Sequence, residues 1–248
     1  MSFVDGLAIL AAGLAAGTIN AIVGSGSLIT FPTLLGLGYE PVEANVTNTV
    51  GLVPGSISGT IGYRRELAGQ ADRVRALSRA SLLGGITGAI LLLVLPGAVF
   101  EGVVPVLILV ACALVVLQPR LARPAPAEGA RAHSRWLPVT IYATGIYGGY
   151  FGAAQGVILI ALLGIFVDDH VQRLNALKNL LAALVNGVAA VIFMVVADVA
   201  WGAAAVLAAG AIVGGQIGAK VGRRIPTPLL RVVIVVVGTA VAVKLLLD

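Results

Sequence analysis
Lys178 stands inside an apolar run, in NALKNLLAALVN, where helical spacing puts Asn175, Asn179 and Asn186 near one face with the lysine beside them. An ionisable side chain away from a helix end costs roughly 2.5 to 3.5 kcal/mol on membrane-insertion scales and usually marks a substrate or ion path. One fixed positive charge among neutral amide donors is chemistry suited to a small anion. A second polar island, VGSGSLITFP at residues 23–32, holds two glycines, three hydroxyls and a proline among apolar neighbours. A helix crossing lipid avoids that composition, so the stretch reads as the bend of a broken helix. Its Gly24 and Gly26 would let the backbone approach a ligand, Ser25 and Ser27 would donate hydroxyls, and a half-helix N-terminus would add partial positive charge and free N–H groups. Each feature has a second reading: the glycines serve close helix packing, Lys178 snorkels to the surface from about two turns inside its helix, and Asn and Thr act as interhelical glue.

The elements that must position these groups are membrane helices. With 248 residues, 59% hydrophobic and 11% charged, and a mean hydropathy of +1.04, the chain has too few polar groups to cover a soluble domain. Apolar runs recur along the whole length, so the first does not read as a removable export signal, and residues 1–248 read as a single transmembrane domain. Six runs have the roughly 20 residues a spanning helix needs: 42–63, 77–95, 99–117, 174–196, 203–221 and 229–247. Residues 3–37 and 136–167 are each too long for one crossing and short for two, and each is interrupted by small and polar residues. Residues 119–135, rich in proline and arginine, read as a solvated cytoplasmic linker between a first repeat, 1–118, and a second, 136–248.

The two halves match. AAGTINAIVGSGSLITFPTLL followed by ANVTNTVGLVPGS has its counterpart in ATGIYGGYFGAAQGVILIALL followed by LNALKNLLAALVNGV. Basic residues decide their orientation. Arg64 to Arg79, Arg120 to Arg135 and Lys220 to Arg231 all fall in the cytoplasm, as the positive-inside rule wants, only if each interrupted region returns to its own side. The expected fold is therefore an all-α polytopic membrane protein of two inverted repeats. Each repeat is a broken, re-entrant helical hairpin plus three transmembrane helices, giving eight helical membrane segments. Such irregular backbone is tolerated at membrane depth only where it is buried in protein or lines a watery cavity, which makes this a transporter architecture.

Other chemistries are poorly supported. No Asp or Glu falls mid-run, so no buried carboxylate proton relay is visible, and no nucleophile–base set suggests an enzyme. His133 and His170 lack metal-ligand spacing, and no metal or cofactor is expected. The net charge of +5 is spread over segment ends instead of forming a nucleic-acid-binding stripe. The lone Cys112 reads as core packing, and Trp136 and Trp201 as interfacial anchors.

GTINAIVGSGSLITFPTLLGLG, ANVTN with LVPGSISG, GGYFGAAQGV and NALKNLLAALVNG together resemble the sulfite exporter TauE/SafE family, also called the toluene sulfonate uptake permease family. The likeness covers nearly the whole chain. It implies a bacterial, multi-pass inner-membrane protein, built by duplication, that moves sulfite, organosulfonates or related small anions, often by export; a homodimer is what the family suggests. It also implies a site between two lobes, which here carries over to Gly24, Ser25, Gly26, Asn45, Thr47 and Asn48 and to Gln155, Gly156, Asn175, Lys178 and Asn179. One departure is the second turn, Gly152-Ala153-Ala154-Gln155-Gly156, where many members carry glycines. The expectation is a secondary transporter of a small anion in the lipid bilayer, bound mid-membrane and exposed alternately. Its rivals are a passive anion channel and a non-transporting membrane assembly partner.

Overall fold
Each interrupted region folds as two helices in tandem. In the computed structural model, which describes residues 1–121, 136–221 and 227–247, α1 (Phe3–Ile22) is followed across a short break by α2 (Ser27–Gly36), and α6 (Trp136–Tyr150) by α7 (Gln155–Phe166). The remaining helices are α3 (Pro41–Gly62), α4 (Ala71–Val94), α5 (Gly97–Leu121), α8 (Val171–Val196), α9 (Trp201–Val221) and α10 (Thr227–Leu247). The described residues hold no strand. Local sequence sets several of the boundaries. Ser2 and Asp5 form a reciprocal cap at the start of α1, and Pro41 opens α3, where its missing N–H costs nothing.

Among the described residues α1, with 20 residues, is long and apolar enough to cross a bilayer by itself, as are α4, α5, α8 and α9, so the first interrupted region has arms of unequal length, 20 residues in α1 against 10 in α2. Conversely α3, with 22 residues, is not among those five, because it carries Asn45, Thr47, Asn48, Thr49 and Ser58. These side chains are buried against protein, so the helix does not need an apolar surface all round. Finally, α5 runs on through Pro119 and Arg120 to Leu121, into the segment read as linker; the rest of that linker, His133 included, lies outside the described residues.

The packing crosses between the halves. Helices α3 and α8 meet at the centre; α1 and α3 of the first half pack on α9 of the second, while α6 and α8 pack on α4 of the first. Likewise α2 packs on α10 and α7 on α5. Glycines spaced four apart make the tightest of these seams. A Cβ on Gly13, Gly17, Gly210 or Gly214 would lie 2.1 to 2.5 Å from a carbonyl oxygen across the α1–α9 seam, and one on Gly84, Gly88 or Gly149 would do the same across α4–α6. In lipid, where burial of apolar surface drives little association, such close backbone approach supplies the packing. Cys112 is buried, with Sγ 2.6 Å from where a Cβ on Gly238 would stand, so it fills the α5–α10 contact. Trp136 and Trp201 are exposed at the first turns of α6 and α9, and His170 is exposed just before α8.

One polar tie joins the halves outside the apolar layers. Asp169, between α7 and α8, accepts from Arg73 of α4 at 3.0 Å and from Arg173 of α8 at 2.8 Å. Arg173 also donates to the Ala68 carbonyl at 3.0 Å, so the α3–α4 connection is held against the start of α8. Burial pushes the Asp169 carboxyl up. Hydrogen bonds from Arg73, Arg173 and the His170 N–H, with the Arg173 charge, outweigh that and hold it below the usual carboxylate range. A carboxyl lowered in the fold stabilises it fully above the ordinary pKa, and the contribution is lost as pH falls through the lowered one. Asp169→Asn is expected to cost on the order of 1 kcal/mol, the group being partly exposed. Thermal unfolding of the detergent-solubilised protein should show the deficit at neutral pH and should show it vanish in acid.

Candidate functional site
The break after α1 leaves carbonyls without their ordinary helix partners. Val23 N and Gly24 N both turn to the Ile19 carbonyl, at 2.7 and 3.0 Å, and side chains of α8 meet the next two. Lys178 Nζ donates to the Asn20 carbonyl at 3.1 Å and the Ala21 carbonyl at 3.5 Å. Asn175 Nδ2 and Asn179 Nδ2 each donate to the same Ala21 oxygen at 3.2 Å. The second break is served with less charge: Asn45 Nδ2 of α3 donates to the Tyr150 carbonyl, the last of α6, at 3.0 Å. Asn45 precedes Asn48 by the same three positions that separate Asn175 from Lys178. Helix α3 therefore carries an amide where α8 carries an ammonium.

The breaks touch each other. Gly156 N, at the start of α7, donates to the Gly24 carbonyl at 3.0 Å. A Cβ on Gly24 would stand 2.5 Å from Gly156 Cα, closer than any real carbon contact. Gly24 has φ +87°, in the left-handed region that costs other residues roughly 1–2 kcal/mol. Ala154, with φ 57°, bears that cost at the start of α7.

Beside the contact lies a cavity of about 30 Å³, room for on the order of one or two waters. Its polar walls are Asn20, Ser27, Ser56, Gln155, Lys178, Asn179 and Asn186; its small residues include Gly24, Gly55, Gly59, Gly152 and Gly156. None of these is acidic. Lys178 is 1% exposed, so its ammonium turns inward instead of snorkelling, and among the described residues it is the one buried charged side chain. Gln155 is 2% exposed, and its Nε2 has no hydrogen-bond partner. It fits there because residue 148 is glycine, on which a Cβ would lie 2.4 Å from the Gln155 amide. An inward ammonium and an unspent amide donor face a space without carboxylates, which suits a small anion.

Of the candidates read from sequence, Gly24, Gln155, Gly156, Lys178 and Asn179 line this cavity. Ser25, Gly26, Asn45, Thr47, Asn48 and Asn175 do not. Asn45 and Asn175 cap helix ends, Thr47 Oγ1 accepts from Ala200 N at 3.0 Å just before α9, and Asn48 accepts from the Thr30 hydroxyl. Ser25 is buried with its hydroxyl unpartnered. The amides expected to be free are mostly engaged: Gly26 N donates to Asn20 Oδ1 at 2.7 Å, Gln155 N to the Gly152 carbonyl and Gly156 N to Gly24. A buried break must satisfy its own backbone before it can offer anything to a ligand. Sequence reasoning missed Asn20 and Ser56. The available signals were their places, four residues before Gly24 and directly after Pro54-Gly55.

The family profile described as Sulfite exporter TauE/SafE matches residues 9–245. The chain belongs to the TauE/SafE family. Among curated relatives it is 28% identical over 237 residues to a probable membrane transporter protein, YfcA, of Escherichia coli K12, covering 94% of this chain and 86% of that one. It is 27% identical over 256 residues to a probable membrane transporter protein of Haemophilus influenzae, covering 99% and 96%. A third, from a Sinorhizobium species and also called a probable membrane transporter protein, is 26% identical over 238 residues, covering 94% and 89%. With five helices among the described residues fit to cross a bilayer, this TauE/SafE protein is a membrane protein of a transporter family, a class that is generally not enzymatic.

Proposed function
We propose that the chain is a secondary transporter for a small oxyanion or organosulfonate, with the cavity between α1, α3, α7 and α8 as its binding site. The observation that carries this reading is Lys178: a buried ammonium with no acidic partner in a cavity where two broken helices meet. The TauE/SafE family description supports sulfite and its chemical relatives as substrates and export as the direction. The crossed pairing of α1 with α9 and of α6 with α4, together with the distribution of basic residues, supports two inverted repeats in an inner membrane. One lobe moves against the other to expose the site in turn.

Thermal stabilisation of the purified protein by sulfite, sulfate, thiosulfate, sulfoacetate, taurine, phosphate and small carboxylates tests this directly, because a ligand of the folded state stabilises by an amount set by its concentration over Kd. A selective shift is expected with a sulfur oxyanion or sulfonate. Lys178→Met should weaken it about 10- to 100-fold, the worth of one charged hydrogen bond of roughly 1.5–3 kcal/mol. A well-folded protein that no anion stabilises would end the anion reading.

A further inference from the structure
The Lys178 ammonium sits at a helix end. The Asn20 and Ala21 carbonyls, released by the break, lie 3.1 and 3.5 Å from Nζ at the negative end of the α1 dipole. Carbonyls at the end of a discontinuous helix are what membrane transporters offer to small monovalent cations. The uncharged polar residues Ser27, Ser56 and Asn186 line the same cavity. Capping the break does not by itself require a charge. Asn175 and Asn179 already donate to the Ala21 oxygen, and the Tyr150 carbonyl of the other break is met by the Asn45 amide, with uncharged Asn48 at the position matching Lys178.

We infer that Lys178 is a tethered cation: its ammonium holds the seat that a dissolved monovalent cation such as Na⁺ would take at the end of α1, so the anion binds without a co-bound metal ion. This rests on the anion-site reading of the same cavity. Because the charge is covalently attached, it stays behind when the anion leaves, and no Na⁺ gradient is drawn upon through this seat.

The test compares the wild type with Lys178→Ala and Lys178→Ser, which vacate the seat, and with Lys178→Met, which fills it without charge. Each full-length protein is melted in N-methyl-D-glucamine chloride or in NaCl at equal ionic strength, first without sulfite and then with sulfite as probe. In the wild type, neither the melting temperature nor sulfite affinity should depend on Na⁺. In the Ala and Ser variants, Na⁺ alone should raise the melting temperature, and sulfite affinity should recover by about tenfold in Na⁺, within the usual span of coupling between sites. The Met variant should respond to neither. A wild type that needs Na⁺ for sulfite, or Ala and Ser variants indifferent to Na⁺, overturns the inference. A variant that is folded only when prepared in Na⁺ counts for it, and one that stays unfolded in Na⁺ counts against. The melts without sulfite compare two cations at constant chloride, so they stand apart from the anion reading, which falls if no anion stabilises the wild type.

Discussion

Gly24→Ala should leave little folded protein in the membrane. Two costs coincide there: a left-handed backbone, worth roughly 1–2 kcal/mol to a residue with a Cβ, and a methyl 2.5 Å from Gly156 Cα, where neither backbone can yield without breaking the 3.0 Å bond between them. Overpacking adds roughly 1–3 kcal/mol or more. Three other glycines separate the terms. Gly38 has φ +89° and open space around it, so Gly38→Ala should show the strain alone. Gly156 lacks the positive φ but meets Gly24 Cα at the same 2.5 Å, so Gly156→Ala should show the overlap alone. Gly36, at the end of α2, has nothing within 4 Å, and Gly36→Ala should be neutral or slightly stabilising. Size-exclusion profiles and half-unfolding temperatures in detergent should rank them Gly36, Gly38, Gly156, Gly24 from mildest to worst. A Gly24→Ala protein as stable as Gly38→Ala would mean that the two breaks do not touch.

The largest effect on ligand binding is expected from Gln155→Glu. The change is nearly isosteric, but it replaces an unpartnered donor with a carboxylate in the cavity that holds Lys178. At an effective dielectric near 20, opposite charges sharing so small a cavity attract by a few kcal/mol. The new carboxylate would therefore compete with any anion for the ammonium and repel it as well. Anion affinity should fall by about 100-fold or more, with the fold retained. Gln155→Ala should cost only about 3- to 10-fold, the value of one neutral hydrogen bond of roughly 0.5–1.5 kcal/mol. Titrating the stabilising anion against both variants reads the contrast. Equal, small losses would place the Gln155 side chain beyond reach of the ligand.

What was legible in the sequence follows from which signals are local. Length and hydropathy placed the cores of α4, α5, α8 and α9, and the glycine and hydroxyl cluster placed the first break. Lys178 stood out because a charge within an apolar run is costly wherever it points. The partners of the polar residues were not legible. Asn45 and Thr47 look like ligands in ANVTN, yet their hydrogen bonds go to Tyr150, 105 residues away, and to Ala200, 153 residues away. Nothing in a helix's own sequence tells a cap for a distant helix end from a ligand contact. Asn20 was hidden for the converse reason: one neutral amide near a helix end looks like structural glue, and only the return of the chain at Gly26 turns it toward the cavity. The seating of α1 against α9 was not legible either: Gly13 and Gly17 meet the Leu207 and Ala211 carbonyls, and nothing near them in the chain names those partners.

That seating governs the order in which the protein can be built. The Thr18 hydroxyl of α1 bonds the Gly214 carbonyl of α9 across 196 residues, and the glycine face of α1 has no mate until α9 has left the ribosome. On the other side, α4 must wait for α6. The first half therefore enters the bilayer with its tightest seam and its broken backbone still unanswered, and α8 brings the side chains that quiet the end of α1 only late in synthesis. A chain halted before α9 holds a complete set of first-half helices and no finished interface for α1. Completion of the α1 seam is thus an event of the whole polypeptide, because its mating face arrives only with α9.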